Sequence, residues 1–236
     1  MSSLAGIHPV REAIRAGRAL ERVLVVKGAG GPRIQEIIDL CRDRKIAIRF
    51  ESRENLDRAA GGANHQGVVA IGAASRYATL EETAAAGGLH VILDGVEDPH
   101  NLGAIVRTAH AAGASAVVIP ERRAAGLTEV VERAAAGALA YLPVVRVTNI
   151  TRALEQLKEH RYWIYGLDER GTEQYDKVDY ATPAAFVLGG EGHGLHEHVA
   201  KNCDVLVRIP MSGEVSSLNV SVAAGVVLFN WKSRSV

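Results

Sequence analysis

From residue 89 onward the chain alternates short apolar runs with amphipathic stretches, and that rhythm restricts its fold more than any other feature. LHVILDGV, SAVVIP, LPVVRV, YWIYGLDE, AAFVLGG and VLVRIP read as strands. LGAIVRTAHAAG, TEVVERAAAG, TRALEQLKEH, LHEHVAKN and SLNVSVAAGVVLFNW read as the helices between or after them. Strands that are apolar at nearly every position, rather than at every second one, must be covered on both faces. The expected architecture is therefore α/β, a mostly parallel sheet with helices on both faces.

A smaller unit precedes this one. Residues 8–17 suggest a short helix, ERVLVVKG a strand, PRIQEIIDLCRDRK a helix, IAIRFES a second strand, and GGANHQGVVAIGA a closing strand among glycine-rich turns. SRYATLEETAAAGG then reads as a polar, alanine-rich connector. The expected division is a small α/β domain at 1–76, a linker at 77–88 and the main domain at 89–236.

Net charge is zero over the chain, which argues against coating nucleic acid by charge alone. Yet residues 1–76 hold 13 Lys and Arg against 8 Asp and Glu, leaving the remainder with 14 against 19. A basic small domain on a mildly acidic larger one suits a module that grips RNA, and chance scatter of surface charge would give the same count. Cys41 and Cys203 stand far apart with no ligand spacing around them, so neither a disulfide framework nor a metal site is expected. With no signal-like start and no run of about 18 apolar residues, a cytoplasmic protein without a membrane span is expected.

Three loops could carry chemistry. In DGVEDPHNLGAIVRTAHAAG, Asn101 sits where a helix N-cap belongs, as a cap or as a site residue. Arg107 lies one turn beyond Gly103, whose missing side chain would leave room for a ligand, although an isolated helical arginine is commonly only solvated. In AAFVLGGEGHGLHEH a strand runs into Gly189, Gly190, Glu191, Gly192, His193 and Gly194, which lets backbone approach a ligand closely. The dinucleotide fingerprint fails there, because its third glycine would fall on Leu195, and a P-loop lacks its Gly-Lys-Ser/Thr. His193, His196 and His198 read as surface histidines, with no further metal ligands nearby. In VLVRIPMSGEVSSLNVSVAAGVVLF, a helix expected from about Ser217 is apolar almost all round and should be buried on more than one side. Its polar residues Ser216, Ser217, Asn219 and Ser221 gather in the first turn, as caps or as donors toward a ligand.

Taken in order and spacing, these loops resemble the three motifs of the SpoU (TrmH/RlmB-type) branch of the SPOUT RNA methyltransferases, from about residue 90 to the end. Residues 6–70, from GIHPVREAI to HQGVVA, resemble the substrate-binding domain of RlmB-like members. The resemblance implies a C-terminal trefoil knot, a homodimer through the last helix, and S-adenosylmethionine as cofactor. It places that cofactor against Gly189, Ile209 and Leu218, with Gly190, Gly192, Met211 and Ser216 lining the site. It assigns Asn101, Arg107, Glu191, Ser217 and Asn219 to catalytic positions. The implied reaction is methylation of a ribose 2'-OH, most closely of a guanosine in 23S ribosomal RNA or a large-subunit assembly intermediate. A tRNA target, a catalytically silent RNA-binding or ribosome-assembly protein, and a nucleotide-dependent oxidoreductase are the rival readings, the last weakened by the glycine spacing.

Overall fold

The computed structural model describes residues 2–18, 20–72, 77–190, 194–214 and 217–234. The chain forms two compact units, Met1–Arg76 with Ala136–Tyr141, and Tyr77–Ala135 with Leu142–Val236.

The small unit contains β1 (Ser2–Ala5), α1 (Ile7–Arg15), β2 (Leu20–Val26), α2 (Pro32–Asp43), β3 (Ala47–Glu51), α3 (Arg53–Ala60) and β4 (Val68–Gly72). Its sheet runs β1-β4-β2-β3, with β4 antiparallel to both neighbours and β2 parallel to β3. Val10, Ala13 and Ile14 of α1 and Ile34, Ile37, Ile38 and Cys41 of α2 pack on one face with Val23, Val25, Val68 and Ala70. Leu56 and Ala60 of α3 cover Leu24, Val69 and Ile71 on the other. The sequence reading passed over α3 because RENLDRAA is short and highly charged; Ser52 nevertheless caps it, accepting from Asn55 N.

The large unit contains α4 (Leu80–Ala85), β5 (Leu89–Asp94), α5 (Pro99–Ala112), β6 (Ala116–Pro120), α6 (Glu129–Ala134), β7 (Val144–Val147), α7 (Ile150–Glu159) and β8 (Trp163–Leu167). It continues with β9 (Glu173–Gln174), β10 (Ala184–Gly189), α8 (Glu197–Ala200), β11 (Val205–Arg208) and α9 (Val220–Arg234). Its seven-stranded sheet has the order β7-β6-β5-β10-β8-β11-β9, and every pairing is parallel. On one face α4, α7 and α8 bury Leu80, Leu154, Leu157, Leu195 and Val199 against Ile92, Val118, Ile164 and Val187. α5, α6 and α9 form a second helical group, α5 packing on both of the others.

Residues 77–88, expected to be a linker, instead contain α4, whose Leu80 and Ala84 belong to the core. The physical reason is a capping box. Thr79 accepts from Glu82 N, and the Glu82 carboxylate returns to the Thr79 N–H, so two otherwise unpaired groups are satisfied at once. Among the described residues no helix is long and apolar enough to cross a membrane.

Candidate active site

In an open parallel sheet the strand ends at the carboxyl edge converge where the strand order reverses. Here β5 leads to β6 and β7 on one side, while β10, β8 and β11 lie on the other. The loops after β5 and β10 therefore open beside one another, and the loop after β11 lies on the same edge.

The loop after β5 enters α5 through Asp98, whose side chain accepts from His100 N at 2.8 Å, with Pro99 as the first helical residue. Asn101 is accordingly not the cap, as the sequence allowed, but the third residue of the helix, and it is buried. That releases its amide for another partner. Asn219 Nδ2 donates to Asn101 Oδ1 at 3.0 Å. Asn219 also caps α9, its Oδ1 accepting from Ser221 N at 2.9 Å and from Ser221 Oγ at 2.6 Å. The last helix begins at Val220 rather than near Ser217, because the asparagine, not the serines, closes its first turn. The first and third loops thus meet.

Arg107 is exposed and forms no ion pair among the described residues. It stands six residues beyond Asn101 on α5, about 9 Å along the helix axis. The space that Gly103 was expected to leave for a ligand is occupied. A Cβ there would lie 2.4 Å from Ala134 Cβ and 2.8 Å from Val131 O, so α6 fills it. A Cβ on Gly225 of α9 would lie 3.8 Å from Cγ2 of Thr108, the residue next to Arg107.

At the end of β10, a Cβ on Gly189 would meet the Gly194 carbonyl at 2.2 Å, and one on Gly190 would meet Gly95 O at the same distance. Side chains are excluded from both positions by backbone of neighbouring loops, and Gly190 bridges to Gly194 across the turn. Ile209 is half-buried just after β11, while Ser217, Met211 and Leu218 are exposed, the last two at 39% each. Glu191, Gly192 and Ser216, and His193 with them, lie outside the described residues.

Three residues at this edge escaped the sequence reading, Asp94, Asp168 and Arg170, and His196, read as a surface histidine, is exposed yet bound to one of them. Asp168 accepts from Arg170 Nε at 2.7 Å and Nη2 at 2.8 Å, and these bonds hold its carboxyl below the usual carboxylate range. Asp94 binds His196. Aspartates at strand ends are common in any sequence, and only their partners, brought from far along the chain, distinguish these.

Residues 88–229 match the model of the SpoU rRNA Methylase family, and residues 4–78 match RNA 2'-O ribose methyltransferase substrate binding. YacO of Bacillus subtilis, which carries a TrmH family tRNA/rRNA methyltransferase name, is 41% identical over 230 residues, covering 95% of this chain and 92% of its own. The chain belongs to the SpoU rRNA methylase family. An rRNA methyltransferase from Sinorhizobium meliloti, solved with AdoMet bound, superposes with a TM-score of 0.84 at 25% identity, over 99% of this chain and 87% of that one. The TrmH/SpoU tRNA modifying enzyme of A. aeolicus gives 0.57 at 28% identity, over 66% of this chain and 81% of its own. Within the SpoU chain, then, the expected first and third motifs touch through Asn101 and Asn219, and Arg107 is exposed on the same helix as Asn101.

Proposed function

We propose that this chain is a cytoplasmic RNA ribose 2'-O-methyltransferase that uses S-adenosylmethionine, acts as a homodimer, and methylates a guanosine of 23S ribosomal RNA, free or in a large-subunit assembly intermediate. The observation that carries the reading is the Asn219–Asn101 hydrogen bond, which joins two motif loops at the switch point of a parallel sheet.

Residues present at that edge fit the cofactor. Gly189 and Gly190 offer side-chain-free backbone, Ile209 follows the strand end, and Met211 and Leu218 supply exposed apolar surface for an adenine ring. Gly192 and Ser216 would complete the lining. When bound, the sulfonium supplies an activated methyl group without need of a metal. The remaining chemistry belongs to the chain. A ribose hydroxyl is a very weak acid, so its proton must be removed or the developing alkoxide stabilised. Guanidinium stays protonated in proteins, so Arg107 is read as holding the neighbouring RNA phosphate and stabilising the incipient oxyanion rather than as a base. The proton would pass to phosphate, Glu191 or water. Asn101 and Asn219 would orient the ribose, with Ser217 beside them.

The dimer is supported by α9. Its inner face buries Ala224, Val227 and Leu228, but Val222 (52% exposed) and Phe229 (47%) share an uncovered stripe, one turn-pair apart. A second copy on that stripe supplies the second packing surface such a helix needs, and brings further groups to the neighbourhood of Arg107. The trefoil knot is supported by strand order: β10 enters between β5 and β8, and after β11 the chain returns to lay α9 on α5.

The rRNA target is supported by the likeness to the Sinorhizobium meliloti rRNA methyltransferase, which spans both units. Mapping 2'-O-methyl groups in RNA from cells with and without the gene tests the proposal. A single guanosine losing its methyl group in 23S RNA is expected. A lost tRNA methyl group would move the substrate, and no methyl transfer to any RNA by the purified protein would leave a silent RNA-binding protein.

A further inference from the structure

Two buried carboxylates at the carboxyl edge of the large sheet are left unused by the reaction described above. β10, which leads into the glycine-rich turn, lies between β5 and β8. Asp94 ends β5 and Asp168 directly follows β8, so each strand flanking β10 delivers an aspartate, and each residue is only 6% exposed.

The two aspartates bind, one each, the two residues immediately beyond the Gly190–Gly194 bridge. Asp168 Oδ2 accepts from Leu195 N at 3.3 Å. Asp94 Oδ2 accepts from His196 N at 3.0 Å and lies 2.9 Å from His196 Nδ1. Arg170, pinned to Asp168 through its backbone N–H as well as its guanidinium, extends Nη2 to Leu195 O at 3.2 Å. One ion pair therefore holds the N–H of Leu195 and its carbonyl. On the entry side, Gly190 N donates to Asp94 O at 2.8 Å, so the same residue grips the turn at both ends.

Burying carboxylates is costly, and a well-packed apolar pair would satisfy the core as well. What apolar residues could not do is fix the peptide planes on either side of the turn. A binding loop has to hold its backbone to within about half an ångström, and hydrogen bonds from a rigid sheet achieve this. We infer that Asp94 and Asp168, the latter locked by Arg170, are positioning residues that set the exit of the glycine-rich turn so that Gly189 and Gly190 keep the shape that receives the methyl donor. The inference rests on the reading of Gly189 as a donor contact.

Calorimetric binding of S-adenosylmethionine to the full-length protein, methyl-transfer kinetics and hydrogen exchange together test it. In Asp168→Asn, one oxygen becomes an NH2 facing the Leu195 N–H or the guanidinium. The donor Kd and KM should rise about tenfold, with kcat at saturating donor changed less than twofold. Arg170→Gln, at a half-exposed residue that folding tolerates, should shift KM the same way by a smaller factor, and carries the test if Asp168→Asn does not fold. Melting temperatures within a few degrees of wild type would separate positioning from general loss of structure. If the donor protects amides of residues 186–196 in the wild type while both variants keep the wild-type Kd, the positioning role is overturned and the site reading stands. A fall in kcat with unchanged KM would overturn it equally. If the donor leaves those amides unprotected in the wild type, the site reading itself fails, and this inference with it.

Discussion

Asn219 Nδ2 and Asn101 Oδ1, 118 positions apart in sequence, lie 3.0 Å from each other, and the same Asn219 closes the first turn of α9. One side chain thus anchors a helix and ties it to the loop after β5. The two duties can be separated. Asn219→Ser keeps a capping oxygen but is too short to reach Asn101, so thermal unfolding should stay within about 0.5 kcal/mol of wild type while methyl transfer falls at least tenfold. Asn219→Ala should lose the cap as well, at about 1 kcal/mol. Activity surviving in Asn219→Ser at the wild-type rate would remove Asn219 from the site.

Arg107 is exposed and without an ion pair among the described residues, so its removal should hardly affect stability, within about 0.5 kcal/mol. Arg107→Ala is expected to lower turnover by about 10²–10³-fold or more while donor binding persists. Arg107→Lys should recover part of the rate if a point charge suffices, and little if the planar fork must hold a phosphate. Single-turnover methyl transfer beside calorimetric donor binding distinguishes these outcomes, and undiminished turnover in Arg107→Ala would refute the role.

The uncovered stripe on α9 predicts oligomeric behaviour. Val222→Asp and Phe229→Glu place charge on surface that is half exposed in a single chain, so the fold should survive. Light scattering after size exclusion should show dimers in the wild type and monomers in the variants, with activity lost alongside. A monomeric wild type would count against the dimer.

His90 on β5 is fully buried, its two ring nitrogens have no hydrogen-bond partner among the described residues, and burial pushes its pKa down to about 4. Tyr162 packs edge-on against the ring at 4.9 Å. Unfolded, the same imidazole titrates near 6.5, so between those values the unfolded chain binds the extra proton. Stability from this residue is fully present above about pH 6.5 and is lost as pH falls toward 4, by about 3 kcal/mol over that window. Chemical denaturation at pH 7 and pH 5 should show the loss in the wild type and a shallower one in His90→Leu.

Gly103 predicts a steric effect. Its alanine variant would drive a methyl group into Ala134 Cβ and the backbone at Val131, so α5 and α6 must separate. Overpacking of this kind costs about 1–3 kcal/mol, against the stabilisation a Gly→Ala change brings in an open helix. A higher melting temperature in Gly103→Ala would contradict the packing described.

Much of this was legible in the residues. Runs such as LHVILD and AAFVLG, apolar at nearly every position rather than at every second one, announce strands covered on both faces, and all six residues of β5 are indeed buried. Gly189 and Gly190 announce close backbone approach, and backbone lies 2.2 Å from where their side chains would be. What failed was local competition and distance. Asn101 looked like a cap until Asp98, three residues earlier and followed by proline, is seen to fill that role. Thr79 and Glu82 carried a readable capping box that the surrounding alanines obscured. Asp94 and Asp168 have meaning only through Leu195 and His196, and strand order, which periodicity does not encode, is what brings them together.

The placement of β10 between β5 and β8 has one more consequence. Leu89 pairs with Ala184, so the middle of the sheet stays open until the intervening residues, through β8, have left the ribosome. Translation therefore delivers β6 and β7 beside a strand whose other edge must wait, bare and apolar, for a late arrival. A chain truncated before residue 184 would keep the small unit but leave β5 and β8 unjoined, and shielding of that open edge during synthesis would matter more here than in a sheet whose neighbouring strands follow each other in sequence.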